Sequence, residues 1–252
     1  MGDTSKLCIL NTRIDNLSKE SVIKCINYFL KNNKFNQIAT INPEFLLEAR
    51  KNNKFHNALV NSDLNVADGI GVKFAFWRYK KHLKARYSGV DLMWDILEIA
   101  NINKLNIYLV ANKEGLSTWQ ETRDAILKVY PKLKINGNNI NKQYGILNGQ
   151  VEDYIMQSNI VFVNFGAPHQ EIFINSLKNN TQSSLQLGMG VGGSFDYITG
   201  KVSRAPKFMR NAGLEWLYRL IKQPQRCKRI WNAVVVFPII ILLTNNDGQK
   251  YK

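Results

Sequence analysis

The chain has 252 residues, of which 45% are hydrophobic and 6 are proline, and it carries a formal net charge of +15. That length and composition exclude a disordered or collagen-like chain and leave room for one large α/β domain, alone or with an appendage. The charge calls for an anionic partner, whether nucleic acid, an anionic membrane surface or a phosphorylated substrate.

Short β-rich runs recur at 7–14, 37–41, 64–67, 106–110, 160–165 and 185–189, separated by segments of helical periodicity. The segment 18–30 places Val22, Ile23, Ile26, Phe29 and Leu30 on one stripe, and 89–100 does the same with Leu92, Met93, Ile96 and Leu97. Two more helices are predicted over 113–130 and 168–178. Alternating strand and helix implies an α/β fold, a largely parallel sheet with helices on both faces and a ligand crevice at the carboxyl ends of its strands. Residues 136–142 read as a polar loop and 245–252 as a frayed tail. The alternation stops near Thr199, which divides the chain into a core, 1–199, and a C-terminal segment, 200–252.

Small and polar clusters fall where the crevice is expected. Thr40, Asn42 and Glu44 lie at or just after the end of one strand, with Pro43 suited to start a helix. Asp68-Gly69-Ile70-Gly71 follows the next, and Gly166-Ala-Pro-His-Gln170-Glu171 follows the run that ends at Phe165. Gly188-Met-Gly190-Val-Gly192-Gly193-Ser194 closes the last strand. Glycines at such a spot let backbone approach a phosphate, and the basic residues beyond them supply counter-charge. The cluster contains a Gly-x-Gly-x-x-Gly spacing, but no acidic residue follows about 20 positions on, as a dinucleotide fold requires.

Between Gly200 and Ile230 nine Lys and Arg face the single acid Glu215, a net +8. The uncharged run 230–243 follows. It is shorter than the ~20 residues of a membrane-spanning helix, and Pro238 is expected to interrupt it. A basic segment joined to a short apolar one fits an interfacial membrane contact, with a buried terminal element as the alternative. Cys8, Cys25 and Cys227 show no paired spacing, which points to a reducing compartment without a structural disulfide or zinc. Lacking an apolar leader, the N-terminus suggests a cytoplasmic protein.

With these clusters in order, the sequence resembles the WecG/TagA/CpsF family of bacterial glycosyltransferases over about residues 7 to 235. The motifs that carry the resemblance are Ile14-Asp-Asn-Leu, Thr40-Ile-Asn-Pro-Glu44, Asp68-Gly-Ile-Gly71, Arg86 followed by Ser88-Gly-Val-Asp-Leu92, Gly166-Ala-Pro-x-Gln-Glu171, Gly190-Val-Gly-Gly-Ser-Phe-Asp196, Arg204-Ala-Pro-Lys207 and Gly213-Leu-Glu-Trp-Leu-Tyr-Arg219. The resemblance implies a Rossmann-like core with a basic C-terminal appendage that docks at the membrane, on the cytoplasmic face. It implies an inverting, metal-independent transfer of an N-acetylhexosamine, or its uronic acid, from a UDP-sugar to a polyprenyl-diphosphate-linked GlcNAc, feeding teichoic acid, common antigen or capsule. No cofactor and no nucleic acid is expected, and a homo-oligomer is left open.

By motif position, the resemblance assigns Asp68 as the base for the acceptor hydroxyl, with Thr40, Asn42 and Gln170 hydrogen-bonding substrate. Arg86, Gly69, Gly71, Gly166, Gly190, Gly192, Gly193 and Ser194 are assigned to substrate binding, and Arg219, Arg226 and Arg229 to the leaving diphosphate, spaced so as to share a helical face. His56, His82 and His169 are scattered, and no Asp-x-Asp motif offers metal ligands. Departures from the family pattern are Asn11 in place of a glycine, Phe208 in place of a tryptophan and His169 in place of a lysine, the last implying a donor with one carboxylate fewer. A non-catalytic basic α/β protein that binds a membrane surface or nucleic acid is the alternative reading.

Overall fold

The computed structural model describes residues 6–142, 149–179 and 183–244. The chain begins with a hairpin, β1 (Lys6–Ile9) and β2 (Thr12–Asp15), so the run read as one strand is two. Its two-residue turn holds Leu10 and Asn11 at φ 47° and 64°. Asn11 suits that left-handed backbone, a conformation that also favours glycine.

There follow α1 (Lys19–Phe29), β3 (Asn36–Ile41), α2 (Pro43–Ala49), α3 (Asn53–Val60), β4 (Leu64–Ala67), α4 (Ile70–Arg78) and α5 (Gly89–Asn103). Then come β5 (Asn106–Asn112), α6 (Trp119–Leu127), β6 (Lys134–Ile140), α7 (Gly149–Met156), β7 (Ile160–Val163), α8 (His169–Ser176) and β8 (Leu187–Gly190). The chain ends in short helices, α9 (Ser194–Ile198), α10 (Lys207–Ala212), α11 (Glu215–Lys222), α12 (Cys227–Trp231) and α13 (Phe237–Leu243).

Local signals set several boundaries. Ser18 caps α1 by accepting from the Ser21 amide, and Ser88 caps α5 by accepting from Asp91. The helix expected over 113–130 starts later, because Thr118 and Glu121 form a reciprocal capping box and leave 113–118 as a loop. Residues 136–142, read as a polar loop, are mostly strand: β6 pairs in parallel along the whole of β5. Gly137 fits there because a Cβ would come within 2.3 Å of the Leu109 carbonyl oxygen, and Asn138 accepts a 2.7 Å hydrogen bond from the Tyr108 hydroxyl. Packing and pairing override the turn preference of Asn and Gly.

The eight strands lie in the order β1-β2-β4-β3-β8-β7-β5-β6. Among the described residues only the hairpin pair is antiparallel. Side chains alternate between the faces: Ile38 joins Ile26, Leu92 and Ile96 under α1 and α5, whereas Ala39 and Ile41 join Leu46, Phe55 and Phe76 under α2, α3 and α4. The order matters for function. It sets β4, β3, β8 and β7 side by side in the middle of the sheet, so the four clusters predicted at separate strand ends become neighbours. Ile41 is in register with Ala67 and Val163 with Gly190, which fixes Asn42 beside Asp68 and the two glycine segments beside each other.

Residues 230–243 are helical almost throughout. Pro238 does not interrupt the run, because the preceding residues 232–236 widen into a π-helical turn that accommodates its ring and missing N–H. Phe237 and Ile241 are buried in the same cluster as Val72 and Phe76 of α4, while Trp231, Ile239, Leu242 and Leu243 are exposed. Among the described residues no helix is long and apolar enough to cross a membrane.

Candidate active site at the strand ends

Two cavities open at the carboxyl ends of the central strands and share Asn42, Asp68, Ser88, Glu215 and Arg219. The larger, about 440 Å³, is floored by Thr40, Gly166, Gln170, Gly190, Gly192, Gly193 and Ser194. Arg219, Arg226 and Arg229 roof it. The smaller, about 280 Å³, includes Gly69 and the cations Lys19, Arg86, Arg204 and Arg210. Of the residues assigned to catalysis or substrate binding, all but one therefore line one cavity or the other. Gly71 does not. It lies inside α4, where a Cβ would come within 2.5 Å of Pro43 Cγ and 3.5 Å of the Phe237 ring, so its smallness serves helix packing. His169 is exposed and lines neither cavity.

Asp68 follows β4 directly. Its amide donates to the Ile41 carbonyl at 2.8 Å, and Gly69 turns the chain away at φ 83°, a conformation that favours glycine. Burial raises the Asp68 carboxyl to a pKa of about 6, with Glu215 adding to the rise and Arg219, the Gly69 amide and Arg86 opposing it. A carboxylate poised there is deprotonated at neutral pH yet basic enough to accept a proton. Asn42 caps α2 by accepting a 3.1 Å bond from the Phe45 amide.

The glycine segments are held by Gln170. Its Oε1 accepts from the Gly166 amide at 2.9 Å and the Gly192 amide at 3.0 Å, tying the segment after β7 to the one after β8. Gly166 and Gly192 both have positive φ, 75° and 48°. Ser194 turns inward and donates to the Val191 carbonyl at 2.7 Å. Gln170 and Ser194 thus shape the cavity floor through bonds already made.

The arginines arrive on separate elements. Gln223 breaks the backbone after α11 and Pro224 opens a short turn, so Arg219, Arg226 and Arg229 do not share one helical face, yet they converge on one cavity. Arg219 pairs with Glu215 at 2.7 Å and sits 5.4 Å from the centre of the Tyr197 ring. Burial works against its charge, but Tyr197, Glu215 and Asp68 together hold its pKa up. Arg229 pairs with Glu44 through Nε at 2.8 Å. Arg226 has no ion pair among the described residues; burial, then crowding by Arg229 and Arg219, depresses its pKa. Uncompensated positive charge facing a cavity is suited to a phosphate.

Several residues that build the site stood in the quoted motifs without an assigned role. Arg204 grips Asp91 with two 2.7 Å bonds and Ser88 with one of 2.9 Å, which pins the start of the C-terminal segment to the first turn of α5. Burial opposes the Asp91 charge, but Arg204 and Ser88 prevail and hold its pKa below the usual range. Ser117 donates to Asp196 at 2.8 Å, joining the loop before α6 to α9 at the cavity edge. Glu215, read as the single acid of the basic stretch, stands four residues before Arg219, the spacing of a helical ion pair. Among the described residues no three His, Cys, Asp or Glu side chains gather as metal ligands.

A parallel α/β sheet with a poised carboxylate, clamped glycine segments and convergent arginines at its strand ends has the layout of a nucleotide-handling enzyme. The chain matches the Glycosyl transferase WecG/TagA/CpsF family over residues 7–250 and belongs to it. It is 34% identical over 201 residues to the N-acetylglucosaminyldiphosphoundecaprenol N-acetyl-beta-D-mannosaminyltransferase of Bacillus subtilis (strain 168), covering 77% of this chain and 74% of the relative. It is 29% identical over 259 residues to the protein of the same name from Staphylococcus aureus (strain MW2), covering 100% of this chain and 98% of the relative. The protein is a glycosyltransferase, and the reading as a non-catalytic binding module is set aside.

Proposed function

We propose that this enzyme transfers N-acetylmannosamine from its UDP-sugar to GlcNAc-diphosphoundecaprenol, with inversion, in the assembly of a teichoic-acid-type surface polymer. The acceptor and the transferred sugar follow the names of the relatives. The observation that carries the site assignment is that Asp68 stands on the wall between two cation-lined cavities. The donor occupies the larger, with its diphosphate under Arg219, Arg226 and Arg229 and against the Gly190–Ser194 segment. The acceptor sugar and its diphosphate occupy the smaller, near Arg86 and Arg210.

In this reading Asp68 takes the proton of the acceptor hydroxyl as its oxygen bonds the anomeric carbon from the face opposite UDP. The bond from that carbon to the β-phosphate oxygen breaks, and its electron pair leaves with UDP. The arginines stabilise the charge that develops there, so the mechanism needs no metal. The division at 199/200 is functional: the core supplies the base and the floor, the C-terminal segment the arginines of the larger cavity. The exposed Trp231, Ile239, Leu242 and Leu243, with Lys228 nearby, present an apolar and basic surface to the inner face of the membrane.

The test is acceptor-dependent UDP release with EDTA present, comparing UDP-ManNAc, UDP-GlcNAc and UDP-ManNAcA. Preference for UDP-ManNAc supports the proposal; preference for the uronic acid, or dependence on a divalent ion, overturns the corresponding part of it.

A further inference from the structure

Glu171 is fully buried and takes no part in the chemistry above. Its Oε1 accepts a 2.6 Å hydrogen bond from Gln170 Nε2, and its Oε2 has no partner among the described residues. Its backbone carbonyl accepts from Gln37 Nε2 at 3.1 Å, which locks the first turn of α8 onto β3. Gly190 leaves room for the pair: a Cβ there would lie 2.5 Å from both Gln170 Nε2 and Glu171 Oε1. A buried acid without a cationic partner is expensive to keep, so its retention needs a reason.

The reason lies in the symmetry of a carboxamide. Gln170 can be turned over with little change of shape, but the two orientations differ in chemistry. With oxygen toward the glycine segments it accepts from the Gly166 and Gly192 amides; turned over, its NH2 group would face two N–H donors. A fixed acceptor on the other side adds to the resistance that the two loop amides offer. We propose that Glu171 is a positioning residue that sets the orientation of the Gln170 carboxamide and, through it, locks the glycine segments after β7 and β8 in the shape that receives the donor diphosphate. Burial pushes the Glu171 carboxyl up to a pKa of about 8, with the Gln170 bond pulling the other way. The group is thus mostly neutral at pH 7 and offers an acceptor without placing a negative charge beneath the diphosphate.

The inference rests on the donor cavity proposed above, and the clamp itself can be read without any ligand. Amide hydrogen exchange at Gly166 and Gly192 is measured in wild type, Glu171→Gln and Glu171→Leu, alongside UDP affinity by calorimetry and Tm. The neutral isostere Glu171→Gln keeps the acceptor oxygen, so exchange and affinity stay within about twofold of wild type. Glu171→Leu lacks the acceptor, so both amides exchange at least about tenfold faster and UDP binds about tenfold more weakly, the effect of losing roughly one buried hydrogen bond. Its Tm stays near wild type, because removing a desolvated carboxyl offsets the orphaned Gln170 NH2 group. Unchanged amide exchange in Glu171→Leu, its failure to fold, or equal damage in Glu171→Gln would each overturn the clamp. Altered exchange without UDP binding by wild type would leave the clamp standing and overturn the donor-cavity assignment.

Discussion

The two halves of the site are built on opposite principles. At the strand ends, groups are tied down by bonds already made: Gln170 spends its carbonyl oxygen on two loop amides, Asn42 caps α2, and Ser194 turns inward. In the C-terminal segment the functional groups are charges on short helices separated by a break, and Arg226 has no counter-ion among the described residues. The floor is preorganised and nearly neutral; the roof is cationic and completed by what binds. The comparison teaches that shape and charge are supplied by different stretches of chain, so substitutions in the two should fail differently.

The largest effect is expected at the boundary between the halves. Asp68→Asn should lower kcat by about 10²–10⁴, the range for losing a general base, with donor KM little changed. The same substitution should raise Tm at pH 7.5. Because the folded pKa lies above that of a free aspartate, the ionised carboxyl opposes folding once the pH exceeds the free value, and the amide removes that cost. Differential scanning calorimetry beside steady-state kinetics checks the opposite signs.

Arg226→Ala sharpens the comparison on the roof. It should cost about 10²-fold in kcat/KM for the donor, whereas Arg229→Ala should cost less, because Arg229 already shares its charge with Glu44. Neither should lower Tm by more than a few degrees. Equal losses in the two variants would show that pairing with Glu44 does not matter.

The pH profile is the next smaller effect. Activity should fall about tenfold per unit as the pH drops below about 6, where Asp68 becomes protonated, and the limb should vanish from the residual activity of Asp68→Asn. Smallest for catalysis is Gly71→Ala. It should destabilise the fold by about 1–3 kcal/mol through the clash with Pro43, read by urea unfolding, while leaving the KM for both substrates unchanged. A raised KM would return Gly71 to the binding site.

Much of the floor was legible because its chemistry is local. Turns that need glycine or a capping Asn announce strand ends, and the alternation of strands and helices announces the sheet. What could not be read is adjacency. Nothing in the chain says that β8 inserts between β3 and β7, although that places Gly190 beside Gly166 and Thr40. The strand β6 was hidden because Asn and Gly favour turns, while its pairing with β5 is a tertiary fact. The Arg204–Asp91 grip joins residues on different elements, far apart in the chain, and the role of Glu171 depends on burial that no spacing reveals. Arg219, Arg226 and Arg229 were expected on one helical face, whereas convergence from separate elements brings them to one cavity.

The central claim is that Asp68 does chemistry between two occupied cavities rather than holding substrate. Measuring UDP affinity by calorimetry and acceptor-dependent UDP release on the same preparations of wild type and Asp68→Asn, at pH 7.5 with EDTA, separates the two most directly. Equal UDP affinity is expected, with transfer lost by at least about 10² in the variant. Wild-type transfer by Asp68→Asn, or a loss of affinity that matches the loss of rate, would contradict it.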